Sequence, residues 1–287
     1  MSSIEKKSID LATQEMLLKA QEENIKTTWD RLELQEPQCG FGQLGACCTV
    51  CAMGPCRIDP FSAEGGSASG GGDRSQQGVC GANVDTIAAR NLARKVAVGG
   101  AAHSDHGRDV AHVLSLVSQA HAHGKSKTHT HGYEILDLEK FKSLAQEFGV
   151  NIDQPNEQVA KELSKKLLEE FGKQEGELVF CKRAPKKRQE IWKKLGITPR
   201  GIDREVVELL HTTTMGMDND YKNLVNSSMR GALSDGWGGS MIATEVQDIM
   251  LGSPVPIRGK VNLGVLKENY VNILVHGHEP VLSEMSV

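Results

Sequence analysis

Aromatic side chains are scarce. Phe, Trp and Tyr make up 4% of the 287 residues, so a core has to be built mainly from Leu, Val, Ile, Ala and Met. An excess of positive charge is also missing: the formal net charge is −4, with none of the basic footprint of a nucleic-acid binder. No apolar run reaches the length of a membrane span. The opening Met1-Ser2-Ser3-Ile4-Glu5-Lys6-Lys7 has no signal-peptide apolar region. These absences point to a soluble, cytoplasmic protein with no nucleic-acid partner and no membrane span. In a reducing compartment its seven cysteines read as metal ligands rather than as a disulfide framework.

The pattern of the chain is mainly helical. Ser8 to Gln35, free of Gly and Pro, reads as one helix. A segment crowded with Cys, Gly and Pro follows from Cys39 to Cys56, then a Gly/Ser/Ala run from Glu64 to Asp73. Asn83 to His121 carries apolar residues at helical spacing, and Gly99, Gly100 and Gly107 predict two helices meeting near Gly100. The segment His121 to Gly132, with His121, His123, His129 and His131, reads as a polar surface loop. Further helices are expected over Leu138–Phe148, Glu157–Phe171, Lys186–Leu195, Asp203–His211 with Asp203 as N-cap, and Tyr221–Met229. Near Pro254 the character changes. Val261–Leu266 and Val271–Val275 read as strands opening an α/β domain. The expected architecture is a mainly α domain carrying iron–sulfur clusters over 1–253, then the start of an α/β Rossmann-like domain over 254–287. Two strands alone leave open edges and a bare face, which predicts a chain that is incomplete as it stands.

Six cysteines are spaced C-x7-C-C-x2-C-x4-C from Cys39 to Cys56, followed by Cys80. Six do not divide into whole four-thiolate sites. Neighbouring side chains of an extended segment face opposite ways, so Cys47 and Cys48 are assigned to different sites. Cys48, Cys51 and Cys56 have the close spacing of a loop wrapped round a cubane, and Cys80 supplies a fourth ligand. Cys39 and Cys47 then make half a site, which a symmetric dimer completes with the same pair from its twin. Zinc is the alternative, although its four-cysteine sites favour two C-x2-C pairs and only one is present. Cys181, in the apolar run Leu178-Val179-Phe180-Cys181, reads as a buried structural thiol.

Longer strings carry a resemblance. Cys47-Cys48-Thr49-Val50-Cys51-Ala52-Met53-Gly54-Pro55-Cys56-Arg57-Ile58 resembles the cluster loop of anaerobic nickel–iron carbon monoxide dehydrogenases, relatives of the hybrid-cluster proteins. So do Arg183-Ala184-Pro185-Lys186-Lys187-Arg188-Gln189-Glu190-Ile191-Trp192, Pro199-Arg200-Gly201-Ile202-Asp203-Arg204-Glu205 and His276-Gly277-His278-Glu279-Pro280. The resemblance covers essentially the whole chain, which is less than half the family's usual length. It implies an internal 4Fe–4S cluster on Cys48, Cys51, Cys56 and Cys80, and a second, shared across a homodimer axis, on Cys39 and Cys47. It matches His278 to the histidine on the outlying iron of the nickel–iron–sulfur active site, with His276 as the alternative.

The implied reaction is oxidation of CO with water to CO2, two protons and two electrons. Nickel activates the carbon and iron prepares the hydroxide. Electrons are expected to pass through the 4Fe–4S clusters to a ferredoxin-like acceptor, with acetyl-CoA synthase as a further partner. His103, His106 and His112 match a family series of histidines at every third position that conducts protons, with Asp109 where another histidine is expected. Steps of three residues drift round a helix, so His112 should lie nearly opposite His103. The nickel-site cysteines of the family have no counterpart here, so the 287-residue chain alone is expected to lack a complete active site. A non-catalytic electron-transfer or assembly module, and a hybrid-cluster-type reductase, are the alternative functions.

Overall fold

The computed structural model describes residues 4, 6–58, 77–122 and 135–253, with the backbone alone from 118 to 122. The expected strands over 261–275, His276 and His278, the Gly/Ser run and the loop histidines from 123 onward lie outside these residues. The described residues form two compact units, one ending at Gln43 and one starting at Leu44.

In the first unit the expected single helix is two, α1 (Leu11–Glu22) and α2 (Thr28–Glu33). The break has a local cause. Asn24 takes a left-handed φ of 56°, a conformation that Asn tolerates better than most residues. Thr27 then restarts the helix with a capping box: its side chain accepts from the Asp30 N–H, and the Thr27 N–H donates to Asp30 at 2.7 Å. A one-turn helix, α3 (Gly40–Gln43), closes the unit.

The second unit begins with a two-strand hairpin, β1 (Cys47–Cys48) and β2 (Cys56–Arg57), and continues into α4 (Val84–Ala122). That helix is 39 residues long without interruption, which corrects the expectation of two helices meeting at Gly100. Its glycines serve close packing instead. A Cβ on Gly100 would lie 2.9 Å from Ile202 Cδ1, and one on Gly107 would lie 2.9 Å from Phe171 Cζ and 3.0 Å from the Gly239 carbonyl oxygen.

After α4 come α5 (Leu138–Glu147), α6 (Asn156–Phe171), a 3-10 turn (Val179–Arg183), α7 (Lys186–Leu195), α8 (Ile202–Thr212), α9 (Tyr221–Ser234) and α10 (Met241–Leu251), of which α6, α8, α9 and α10 pack on α4. One π-helical turn, Asp235–Ser240, joins α9 to α10. The main core is largely aliphatic, as the scarcity of aromatics requires. Leu114, Leu144, Leu163, Leu167, Val246 and Ile249 are fully buried there, beside Phe141, Phe148, Phe171 and Phe180.

Asp203 is not the cap of α8. The cap is Gly201, whose position leaves no room for a side chain because a Cβ would lie 2.5 Å from the Lys173 nitrogen. Asp203 instead accepts a 2.6 Å hydrogen bond from Ser104 and pairs with Arg108, tying α8 to α4. Glu205, 0% exposed, accepts from Arg200 at 2.6 Å and from Arg230 at 2.8 Å. Glu208 binds Arg200, Arg204 and Arg230, so two carboxylates answer three guanidiniums.

Candidate functional site

The pairing of β1 with β2 sets Cys48 opposite Cys56 and Cys47 opposite Arg57. Because side chains alternate across a strand, Cys47 and Cys48 take opposite faces. Cys48 lines a pocket and Cys47 does not. The turn between the strands carries Cys51 and closes on Gly54. A Cβ on Gly54 would lie 3.1 Å from the Cys56 nitrogen and 3.2 Å from the Cys48 carbonyl oxygen, so this tight return needs glycine. Asn91 on α4 holds the hairpin in place, donating to the Cys47 oxygen at 2.9 Å and the Gly45 oxygen at 3.0 Å.

Cys80 arrives from the other side. It sits in a turn just before α4, where Gly78 N–H donates to the Ala82 oxygen and Gly81 adopts a φ of +81°. The result is one pocket lined by Cys48, Cys51, Cys56 and Cys80 together with Val50, Ile87, Arg90 and Met215. The four cysteines brought together are the four grouped by spacing. All are free thiols. Val79 N–H points at Cys56 Sγ at 3.5 Å, and Arg90 Nη1 lies 3.4 Å from Cys80 Sγ. The hydrogen bond from Arg90 holds the Cys80 thiol below its ordinary range, against the opposing effect of burial.

The donor set fits an iron–sulfur cluster. Four thiols surround an apolar pocket whose wall includes Ile87 and Val50, with hydrogen-bond donors aimed at two sulfurs. Among the described residues no three His, Cys, Asp or Glu side chains converge as they would on a single metal ion. The Nε of Arg90 is also buried with no hydrogen-bond partner among the described residues.

The remaining predicted residues are dispersed. Cys39 belongs to the first unit and is exposed. Cys181 is fully buried, and burial pushes its thiol up to about 11, as suits an inert structural position. On α4, His103 Nδ1 lies 2.7 Å from Asp235 Oδ2. His106 is half-buried and Asp109 is exposed. His112 shares a surface hollow with Lys161 and Lys165 of α6. His103 and His112 thus face different neighbours, in line with the drift of three-residue steps.

Arg90, Met215 and Asn219 escaped the sequence reading. An arginine in a helix rich in Ala, Arg and Lys looks solvent-facing, yet Arg90 is 1% exposed. Its partners Asp218 and Asn219 lie more than 120 positions away, and nothing local announces them.

A mainly helical protein that hangs a four-cysteine pocket on the start of one long helix is the class these observations define. The chain belongs to the Prismane/CO dehydrogenase family, whose model matches residues 46–287. It is 52% identical over 282 residues to carbon monoxide dehydrogenase 1 of Methanosarcina acetivorans, covering 98% of this chain and 42% of that protein. A nickel-free, as-isolated crystal structure of carbon monoxide dehydrogenase from Thermococcus sp. AM4 superposes with a TM-score of 0.82 at 48% identity, covering 96% of this chain and 41% of that one. A structure of acetyl-CoA synthase/carbon monoxide dehydrogenase, described as holding NiZn[Fe4S4] and NiNi[Fe4S4] clusters, superposes with a TM-score of 0.82 at 35% identity over 97% of this chain and 39% of that one. The chain therefore spans about two fifths of the length of these relatives. Among the described residues, no helix is long and apolar enough to cross a membrane.

Proposed function

We propose that the chain is part of an anaerobic carbon monoxide dehydrogenase, an oxidoreductase converting CO and water to CO2, two protons and two electrons. Cys48, Cys51, Cys56 and Cys80 hold one 4Fe–4S cluster in this reading. Cys39 and Cys47 supply half of a second, completed by the same pair in a second copy of the chain. His278 is the ligand this chain gives to the nickel–iron–sulfur site of the whole protein. A ferredoxin-like protein accepts the electrons, and acetyl-CoA synthase is a further partner. The observation that carries the reading is the gathering of four free thiols round one pocket in a chain of this family.

When bound, such a cluster supplies reversible one-electron transfer. The chain's own residues have separate tasks. The hairpin and the turn before α4 present the thiols, Gly54 lets the loop close, and Val50, Ile87 and Met215 give the pocket an apolar wall. Val79 N–H and Arg90 direct hydrogen bonds at Cys56 and Cys80. Proton handling is proposed for His103, His106, Asp109 and His112. Of these, His103 can hold a proton between its imidazole and the Asp235 carboxylate.

Anaerobic purification followed by metal analysis and an absorption spectrum tests the reading. Iron, acid-labile sulfide and brown colour are expected. A colourless protein holding stoichiometric zinc and no iron would overturn it.

A further inference from the structure

Among the described residues Arg90 is the one cation that is almost fully buried, 1% exposed, and both of its terminal nitrogens are engaged at the wall of the cysteine pocket. Nη1 donates to Cys80 Sγ at 3.4 Å. Nη2 donates to the Asp218 carbonyl oxygen and to Asn219 Oδ1, both at 2.8 Å. The same loop is tied a second time, since Thr86, one turn earlier on α4, donates to the Asn219 carbonyl oxygen at 2.7 Å. Met215, from the start of that loop, forms part of the pocket wall.

None of Arg90's oxygen partners carries a formal charge. Asp218 contributes its backbone carbonyl, and the Asp218 carboxylate is occupied by the Asn223 amide and the Asp220 N–H. A buried guanidinium without a carboxylate is costly unless negative charge stands nearby. Thiolates ligating a cluster in the pocket would supply that charge.

We infer that Arg90 is a positioning residue that raises the reduction potential of a cluster held by Cys48, Cys51, Cys56 and Cys80, with the Asp218–Asn219 loop fixing its guanidinium against Cys80. The inference rests on the cluster reading of the pocket. Reduction adds one electron and breaks no bond, so the more negative state gains most from a fixed cation and from a hydrogen bond to a ligand sulfur. Lysine cannot reproduce the arrangement, because two nitrogens of the fork reach a sulfur and two oxygens at once while an ammonium is a point charge.

The test is a dithionite titration of the reconstituted full chain, followed by electron paramagnetic resonance, in a Cys39→Ser background so that only the pocket cluster reports. Arg90→Gln is expected to keep its iron and to move its midpoint to a more negative potential. At the parent's midpoint the ratio of reduced to oxidised cluster should fall at least tenfold, which is about 59 mV for one electron. An unmoved midpoint with full iron would overturn the role of Arg90 and leave the cluster reading intact. A parent chain that holds no iron would overturn the reading beneath it and the inference together. If Arg90→Gln does not fold, by circular dichroism, Arg90→Lys decides. A negative shift supports the role of the fork, and an unmoved midpoint overturns it.

Discussion

At Cys48 a two-residue strand does chemical sorting. Alternation turns Cys48 to the pocket and Cys47 away from it, so adjacent thiols of the same chemistry meet different surroundings. Cys181 shows the contrast. It is as free as the others, yet it is sealed among Leu178, Ala184, Trp192 and Ile197, where its thiol is pushed up to about 11 and thiolate is scarce at neutral pH. Substituting the two classes of cysteine should therefore give opposite results. Cys56→Ser is expected to remove about four irons per chain, one whole 4Fe–4S cluster, whereas Cys181→Ala leaves the iron content unchanged. Iron analysis of the anaerobically reconstituted variants checks both, and loss of iron from Cys181→Ala would contradict the assignment.

At the scale of elements, α4 ties the cysteine pocket to the helical body. Its first turns carry Arg90 and Asn91 to the pocket and hairpin, and its later turns meet α8 and α6. The ion network between α8 and α9 supports this packing. Removing Glu205 would take one carboxylate from the partly buried guanidiniums of Arg200 and Arg230 and leave them Glu208 alone, a loss of about 1–3 kcal/mol by denaturant unfolding. Glu208 adds a pH signature. Burial alone would raise its carboxyl, but Arg200, Arg230 and Arg204 together hold it below the usual 4.5. Its stabilising contribution is thus complete above that value and lost as the pH falls through the lower folded value. The stability difference between the wild-type chain and Glu208→Gln should shrink between pH 6 and pH 3 in denaturant titrations, and a gap that widened on acidification would contradict this. How far such elements were legible depends on the range of their causes. Amphipathic spacing alone located α5, α6 and α7. The break at Asn24 was missed because it arises from one left-handed residue and a capping box rather than from Gly or Pro. Gly100 and Gly107 looked like breaks because their reason lies in Ile202 and Phe171, distant in sequence. The π turn Asp235–Ser240 and α10 were unassigned for the same reason: a Gly-rich string reads as loop until Trp237 meets Trp192.

For the whole molecule, the pocket cysteines were legible because their spacing is local, whereas the loop that brings Asp218 and Asn219 to Arg90 is a product of tertiary folding. The remaining pair, Cys39 and Cys47, bears on assembly. In the proposed reading they make half a site, which has value only when a second copy completes it, and a two-fold axis brings like patches together. The division of six thiols into four and two therefore makes a statement about stoichiometry as well as about residues. The most direct test is iron per chain, measured alongside mass in solution, for the wild type and for a Cys39→Ser/Cys47→Ser double variant. The account predicts about six irons per chain in a dimeric wild type, four from the pocket cluster and half of a shared four, falling to about four in the double variant. Equal iron counts in the two proteins, or a wild type without iron, would contradict it.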